Sequence, residues 1–170
     1  MIDHPTIGVV GLGTMGLGIA QVFAQAGFPV IATDAHLPTR SGATARLAEA
    51  LQARVDAGKL DAARRDATLA NLAVVEDLTA LTPCQMIIEA IVEKLDGKRA
   101  LFAALEPLIR PDCILGTNTS SLPIRAVAAG LARPERVLAL HFFNPPPAMK
   151  LVELAPHGTT DPTAVTRAKA

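Results

Sequence analysis

The sequence predicts an α/β fold built on a doubly wound, mostly parallel sheet. Short apolar runs of strand length alternate along the chain with segments whose apolar residues recur at helical spacing. These runs are apolar throughout, which is typical of parallel strands that are covered on both faces. Half of the 170 residues are apolar and 31 are alanine, so one domain can bury a sizeable core between closely packed helices.

The first half of the chain predicts three strands and three helices. Strands are expected at 6–10, at 29–33 and, briefly, near 73–75. The first helix presents one apolar face and ends at Gly27; its face is formed by Met15, Ile19, Val22, Phe23 and Ala26. A pair of helices follows the second strand. One carries the apolar positions of 47–55 and stops at Gly58, and the other begins at the N-cap Asp61 and runs to about Asn71.

The second half predicts further strands at 86–89, 113–116 and 137–140, and one more at 150–154. Between them we expect a helix near 122–129 and a strongly periodic helix with Leu101, Phe102, Leu105, Leu108 and Ile109 on one face. Residues 1–160 are expected to form one domain. The last helix has no stop signal and little to pack against, so 161–170 is interpreted as the start of a truncated C-terminal helical region.

Composition disfavours several classes of protein. Sixteen basic residues balance sixteen acidic ones, and five Phe stand without Trp or Tyr, so nucleic-acid binding is not expected. No run approaches the ~20 apolar residues of a membrane span, and the N-terminus lacks the pattern of a signal peptide. Cys84 and Cys113 have no C-x-x-C partner or nearby His, which favours reduced, buried cysteines over a metal site or disulfide. A cytoplasmic location fits this usage.

A glycine-rich loop lies between the first predicted strand and the first helix. It has G-x-G-x-x-G spacing and comprises Gly11, Leu12, Gly13, Thr14, Met15 and Gly16. In that context the loop and the helix N-terminus are expected to bind the pyrophosphate of a dinucleotide. Asp34, 18 residues after Gly16, can bind an adenosine ribose and repel a 2′-phosphate, which selects NAD over NADP, although Arg40 lies nearby. The alternative is a glycine turn with a capping Asp.

Polar residues follow the predicted strands where each strand ends. They are the glycine loop, Asp34, Glu89 with Glu93, the segment 118–121, and His141. In an open parallel sheet these ends share one edge, and ligands bind at that edge. The sequence therefore predicts one site there.

His141 is expected to face a carboxylate across a chain reversal. Positions 141 and 153 are symmetric about Pro147, so a hairpin-like return sets Glu153 opposite His141. A carboxylate on one ring nitrogen leaves the other free to exchange a proton, as oxidation of an alcohol by NAD requires. The alternative is a structural histidine. Ser120 either points toward a substrate oxygen or is an ordinary turn serine, and Ser121 is most simply a helix N-cap.

At these residues the sequence resembles the NAD-binding, Rossmann-type domain of the L-3-hydroxyacyl-CoA dehydrogenase family, from about residue 7 to 154. The glycine motif is common to many dehydrogenases. The more specific parts are Ile88-Glu89-Ala90-Ile91-Val92-Glu93, Thr117-Asn118-Thr119-Ser120-Ser121, and His141-Phe142-Phe143-Asn144-Pro145 with Leu151-Val152-Glu153. Dehydrogenases of 3-hydroxyisobutyrate or 6-phosphogluconate share the glycine motif but lack the His-Phe-Phe-Asn-Pro segment.

The resemblance implies oxidation of a 3-hydroxyacyl-CoA substrate to the 3-ketoacyl-CoA with NAD reduced. By it, His141 is the general base, Glu153 orients it, and Ser120 binds the substrate's 3-oxygen near the nicotinamide. Glu93, Lys98 and Asn144 match positions that contact NAD, although the sequence alone would make Glu93 and Lys98 a solvated helix end.

In this family the paired helices receive part of the CoA. Here Lys59, Arg64 and Arg65 make that stretch basic enough for a phosphate, and Ala50 replaces a serine that some relatives use. The family also has a helical C-terminal domain that closes over the acyl chain, supplies an Asn and forms a homodimer. We therefore expect the N-terminal part of a longer polypeptide, or a chain that depends on a partner, which binds NAD but turns over little. The alternative function is a non-catalytic NAD-binding module.

Overall fold

The computed structural model of the chain describes residues 4–170. Residues 1–3 lie outside the described part; they belong to the expected 1–160 domain and to the N-terminus that lacks the pattern of a signal peptide. Its centre is a seven-stranded sheet with the order β3-β2-β1-β4-β5-β6-β7. The strands are β1 Ile7–Val10, β2 Val30–Thr33, β3 Leu72–Val74, β4 Met86–Glu89, β5 Ile114–Thr117, β6 Val137–Phe142 and β7 Val152–Pro156. The first six are parallel and β7 is antiparallel to β6. Because the strand order reverses between β1 and β4, a crevice for a ligand opens at their carboxyl ends.

Helices cover both faces of the sheet. They are α1 Thr14–Gln25, α2 Leu37–Ser41, α3 Ala43–Asp56, α4 Ala62–Ala70, α5 Leu95–Leu105, α6 Ile124–Val127 and α7 Pro162–Lys169. Short 3₁₀ turns occupy Leu78–Leu81 and Pro134–Arg136. The predicted fold class is confirmed, including the inserted pair α3 and α4 between β2 and β3. No helix within residues 4–170 is long and apolar enough to cross a membrane.

Two apolar cores lie on opposite faces of the sheet. Side chains of β1 alternate between them. Val9 packs with Ile19 and Leu47 in the first core, whereas Val10 packs with Phe102 and Leu115 in the second core. This alternation explains why the strands are apolar at every position.

Both cysteines belong to the second core and are fully buried and free, as predicted. Burial raises the pKa of the Cys84 and Cys113 thiols to about 12, so both stay protonated and unreactive.

The predicted helix stops are confirmed. Gly27 follows α1 with φ +93°, and Gly58 follows α3 with φ +67°, a conformation that glycine adopts without strain. Asp61 is the N-cap of α4, where its carboxylate accepts a hydrogen bond of 2.7 Å from the Arg64 N–H.

Several predicted boundaries are wrong. The periodic helix ends at Leu105, because Pro107 cannot continue it and the Glu106 side chain binds a neighbouring loop instead. Leu108 and Ile109 pack in the turn that follows. The short helix α2 was not predicted, and α6 is shorter than 122–129. Strand β6 extends to Phe142, so His141 lies within the strand, and β3, β5 and β7 are each shifted by one or two residues.

The expectation that the last helix has little to pack against is also wrong. Ala164 of α7 is buried in the first core, and Arg167 donates a hydrogen bond of 2.7 Å to the carbonyl oxygen of Asp112. The Asp161 carboxylate caps α7 by accepting from the Thr163 N–H. The assignment of 161–170 to a further helical region stays a prediction.

Candidate active site

The glycine loop turns sharply from β1 into α1. Gly11 has φ +95°, and a Cβ there would lie 2.6 Å from the carbonyl oxygen of Ala90. A Cβ on Gly16 would lie only 1.7 Å from the carbonyl oxygen of Gly11, so this position accepts only glycine. A Cβ on Gly13, by contrast, would have no protein atom within 4 Å. The space next to Gly13 is open to a ligand that approaches the backbone.

The N-terminus of α1 has no capping group of its own. Its N-cap residue is Gly13, no side chain of the described residues accepts a hydrogen bond from the first N–H groups of the helix, and no acidic residue lies in its first turn. The N–H groups of that turn therefore remain available, and with the helix dipole they favour an anion such as a pyrophosphate. Together with the open space at Gly13, this arrangement fits the phosphates of a dinucleotide.

Asp34, at the end of β2, is held beside the glycine loop. One carboxylate oxygen accepts a hydrogen bond of 2.7 Å from the Leu12 N–H, and the other accepts one of 2.8 Å from the His36 N–H. Asp34 lines a cavity of about 680 Å³ together with Gly13, Glu76 and Ile91. Each oxygen keeps a free lone pair, so the carboxylate can accept ribose hydroxyls in this cavity.

The guanidinium of Arg40 is already paired within the protein and is not free to bind a 2′-phosphate. Its guanidinium donates to the carbonyl oxygen of Asp34 at 2.9 Å and forms an ion pair with Glu76 at 3.0 Å. With Arg40 and Glu76 paired to each other, the carboxylate of Asp34 is the charge that is left over at this end of the cavity. The charge arrangement favours NAD over NADP.

A second cavity, of about 320 Å³, lies on the other side of the loop. It is lined by residues from the ends of four elements, among them Met15, Glu93, Asn118, Ser120, His141 and Asn144. A third cavity of about 220 Å³ shares Ser120 and His141 with it and adds Glu153. Ser120 and His141 therefore stand between two spaces, one next to the glycine loop and the other next to β7.

His141 and Glu153 form the predicted pair across the hairpin of β6 and β7. They occupy directly opposite positions in the antiparallel register, and His141 Nδ1 lies 2.8 Å from Glu153 Oε2. The His141 ring also packs on Phe143, with 4.8 Å between ring centroids. Since Nδ1 is occupied, the carboxylate fixes the tautomer that leaves Nε2 as the proton acceptor.

The loop after β5 contains one wrong prediction. Ser121 does not cap α6, whose N-cap is Pro123. Instead the Thr119 hydroxyl oxygen accepts from the N–H groups of Ser121 and Leu122, and the Ser121 hydroxyl donates to Glu93 at 3.3 Å. Within residues 4–170, no hydrogen bond involves the hydroxyl of Ser120, which is exposed and lines both cavities.

A buried charge cluster lies beneath the second cavity. Lys98 is 1% exposed and Glu89 is fully buried, and Lys98 Nζ donates to Glu89 Oε1 at 2.6 Å. The Glu89 carboxylate also accepts from the Ile91 N–H and from the Thr117 hydroxyl, each at 2.7 Å. It thereby joins the ends of β4 and β5 to the start of α5. The interpretation of Lys98 as part of a solvated helix end is wrong.

Glu93 completes this cluster at its surface. Lys98 Nζ lies 3.1 Å from Glu93 Oε2, and the Thr119 hydroxyl donates to Glu93 Oε1. Partial burial works to raise the pKa of Glu93, but the hydrogen bonds from Thr119, Lys98 and Ser121 outweigh it and hold that pKa below its ordinary value. Glu93 is therefore ionised where its side chain borders the second cavity.

Two further side chains support the site through backbone groups distant in the chain. Asn118, which the sequence places in the polar segment at the sheet edge, accepts through Oδ1 from the Phe142 N–H at 2.8 Å and so fixes the strand next to His141. Arg46 of α3 was missed by sequence reasoning. It donates to the carbonyl oxygens of Leu12 and Thr39, each at 2.9 Å, and so holds the glycine loop against α2. No local sequence signal marks Arg46, because both of its partners lie in other elements.

The basic residues of the helical pair separate into two groups. Lys59 and Arg64 line a polar cavity of about 240 Å³ with Arg54, whereas Arg65 is turned to Asp66 and Gln52. Ala50 lines a different cavity with Arg46.

Comparisons with known proteins show the family to which the chain belongs. A family model described as 3-hydroxyacyl-CoA dehydrogenase, NAD binding domain, matches residues 6–170. The chain is 46% identical over 154 residues to the 3-hydroxyadipyl-CoA dehydrogenase of Escherichia coli (strain K12), which covers 91% of this chain and 32% of that protein. It is 43% identical over 162 residues to the 3-hydroxybutyryl-CoA dehydrogenase of Mycobacterium tuberculosis, which covers 95% of this chain and 57% of that one.

The fold is similar to a solved structure over almost the whole chain. The crystal structure of 3-hydroxybutyryl-CoA dehydrogenase from Escherichia coli K12 matches with a TM-score of 0.93 at 42% identity, over 98% of this chain and 35% of that one. The chain thus spans between about a third and somewhat over half of the length of these relatives.

Proposed function

The chain belongs to the family of NAD-binding domains of 3-hydroxyacyl-CoA dehydrogenases, and from this premise we propose that it carries the site that oxidises a (S)-3-hydroxyacyl-CoA to the 3-oxoacyl-CoA. NAD is the cofactor of this family of domains. The observation that carries the proposal is the contact of 2.8 Å between His141 Nδ1 and Glu153 Oε2, where His141 lines both the cavity next to the glycine loop and the cavity next to β7.

The glycine loop and Asp34 orient the cofactor in this proposal. The N-terminus of α1 would hold the phosphates, and Asp34 would bind the adenosine ribose in the cavity of about 680 Å³. Met15, Glu93 and Asn144, which line the second cavity, would surround the nicotinamide. Backbone groups of Leu12 and Thr14 complete the loop. Lys98 is buried and lines neither of these cavities, so in this proposal it acts on the cofactor through Glu93 and not by the direct contact that the resemblance implies.

His141 is the general base of the proposed reaction. Its Nε2 accepts the proton of the substrate's 3-hydroxyl, while Glu153 on Nδ1 stabilises the charged ring that results. Ser120 donates a hydrogen bond to the same substrate oxygen and keeps it between the two cavities. NAD, when bound, takes the hydride from the substrate carbon that bears this oxygen.

The proposal is tested in the reductive direction with acetoacetyl-CoA. The protein is mixed in excess with NADH and this substrate, and loss of NADH absorbance is followed over a single turnover. We expect His141→Gln to slow the reaction by about 10²–10⁴-fold, as loss of a general acid or base does. The dissociation constant for NADH, measured by calorimetry, should stay within about twofold, because glutamine leaves the glycine loop intact.

His157→Gln is the matched control for this experiment. His157 Nε2 lies 3.0 Å from the carbonyl oxygen of Pro134, outside both cavities, so its replacement should not change the rate. An equal rate for His141→Gln and the unmutated chain would contradict the proposal. If replacement of His141 in the full-length protein leaves turnover unchanged, the alternative of a non-catalytic NAD-binding module is favoured.

Two expectations about the cellular protein stay proposals. Assembly as a homodimer is implied by the family resemblance, and sedimentation equilibrium measures it. A cytoplasmic location, with no nucleic-acid or membrane partner, follows from the composition and from the two buried thiols, and fractionation of the native cells tests it.

A further inference from the structure

The charge cluster beneath the second cavity is not neutral. It holds one ammonium, on Lys98, and two carboxylates, on Glu89 and Glu93, all within direct contact distance. One ammonium can neutralise only one of the two carboxylates, so one negative charge is left over. The position of that charge matters, because the cluster forms part of the wall of the cavity.

Lys98 neutralises mainly the buried carboxylate. Glu89 is fully buried, and an isolated charge at such a depth is far more costly than one at the surface. Its contact with Lys98 is also the shorter one, 2.6 Å against 3.1 Å for Glu93. The side chain of Glu93 is 39% exposed, and three donors, Thr119, Ser121 and Lys98, surround its oxygens. The uncompensated negative charge consequently resides on Glu93.

Glu93 borders the space that the proposed function gives to the nicotinamide. The second cavity lies between the glycine loop and His141, and hydride transfer requires the ring to be there, so this step rests on the proposed function. The oxidised nicotinamide ring carries one positive charge, whereas the reduced ring carries none. A fixed anion beside the ring therefore interacts differently with the two forms.

We propose that Glu93, left uncompensated because Glu89 takes the charge of Lys98, makes the site discriminate between the redox forms of the cofactor in favour of the oxidised one. Two unit charges about 6 Å apart at an effective dielectric constant of about 40 interact strongly enough for a roughly tenfold change in Kd. The carboxylate thus raises the affinity for the form that begins the oxidation and helps to release the form that ends it.

The test compares the dissociation constants of NAD⁺ and NADH, measured by calorimetry on the 170-residue chain. In Glu93→Gln, which keeps the size and an acceptor oxygen, the ratio of the NAD⁺ constant to the NADH constant should rise roughly tenfold. Glu89→Gln should raise the same ratio, because Lys98 is then free to neutralise Glu93. Both effects should shrink as the salt concentration rises, because ions screen the exposed part of the field.

The matched control is Glu49→Gln, an equal loss of charge on the exposed face of α3 and outside both cavities. It should leave the ratio unchanged within about twofold. If Glu93→Gln weakens NAD⁺ and NADH equally, the carboxylate acts only as a hydrogen-bond acceptor and the inference is wrong. Circular dichroism verifies the fold of each variant, and Glu93→Gln alone decides if Glu89→Gln unfolds. Since only binding is measured here, an equal reaction rate for His141→Gln and the unmutated chain would refute the proposed function without affecting this result.

Discussion

Replacing Lys98 by methionine should destabilise the fold strongly, although Lys98 is a single cation in a chain with sixteen basic residues. Methionine is an unbranched side chain only one atom shorter than lysine, and it removes the charge. Glu89 would then hold an uncompensated carboxylate at a fully buried position, with only the Ile91 N–H and the Thr117 hydroxyl left as donors. Removal of one partner from a buried ion pair costs about 3–5 kcal/mol.

That cost is a large part of the stability of a domain, which is typically about 5–15 kcal/mol. Urea unfolding followed by circular dichroism measures this loss of stability: the urea concentration at the midpoint of unfolding should fall, while the dependence of the unfolding free energy on urea concentration stays the same. Lys94→Met is the matched control, because Lys94 is exposed and precedes the same helix. It should change the unfolding free energy by less than about 0.5 kcal/mol.

A double variant separates the charge from the packing. Glu89→Gln combined with Lys98→Met removes both charges, so it should be more stable than Lys98→Met alone. If Lys98→Met lies within about 1 kcal/mol of Lys94→Met, or if the double variant is the less stable of the two, the buried pair does not hold β4 and α5 together as described.

Three further outcomes are expected. Gly16→Ala should lower the unfolding free energy in urea by more than about 2 kcal/mol, because its Cβ would overlap the Gly11 carbonyl oxygen. Gly13→Ala should change that free energy by less than about 1 kcal/mol yet raise the Kd for NAD, measured by calorimetry, by about tenfold or more, since its Cβ enters only the ligand space. Glu106 gives a pH effect. Partial burial acts to raise the pKa of Glu106, but hydrogen bonds from two backbone N–H groups and from Arg136 outweigh it and hold that pKa below its ordinary value of 4.5. A lowered folded pKa adds stability above the unfolded value, which is lost as the pH falls through the folded one. Glu106→Gln should therefore cost about 1 kcal/mol at pH 7 and nothing in acid below both values, as urea titrations at a series of pH values measure.

Each of these outcomes has its own contrary result. Equal stability of the Gly13→Ala and Gly16→Ala variants would mean that the loop adapts, and undiminished NAD binding by Gly13→Ala would place the phosphates elsewhere. A loss of stability in Glu106→Gln that is the same at every pH would mean that the carboxylate acts through packing and not through its charge.

The sequence predicts much of this molecule because its strongest signals are local. Gly27, Gly58 and Asp61 end or begin helices through their own backbone or side chain, and all three do so where expected. The pairing of His141 with Glu153 was also predictable, because a hairpin fixes its register once the turn is located at the prolines.

The errors concern residues whose environment comes from distant parts of the chain. Lys98 follows an exposed helix start, and only the neighbouring ends of β4 and β5 turn it into a buried cation. Ser121 precedes a proline as an N-cap would, yet Glu93 and Thr119 bind it from other elements. Leu108 has helical spacing but lies after Pro107, where a turn keeps it against the core. For Leu108, the helical spacing correctly indicates burial but does not determine the backbone conformation.

The hairpin of β6 and β7 has a consequence for how such domains diversify. The proposed base and its carboxylate are only twelve positions apart, on one continuous segment at the edge of the sheet. The groups expected to bind the phosphates and the adenosine ribose belong instead to the loops after β1 and β2. Mutation can therefore silence the chemistry without disturbing nucleotide binding. A related domain that lost His141 or Glu153 would still bind the nucleotide, and it could then evolve a sensing or scaffolding role.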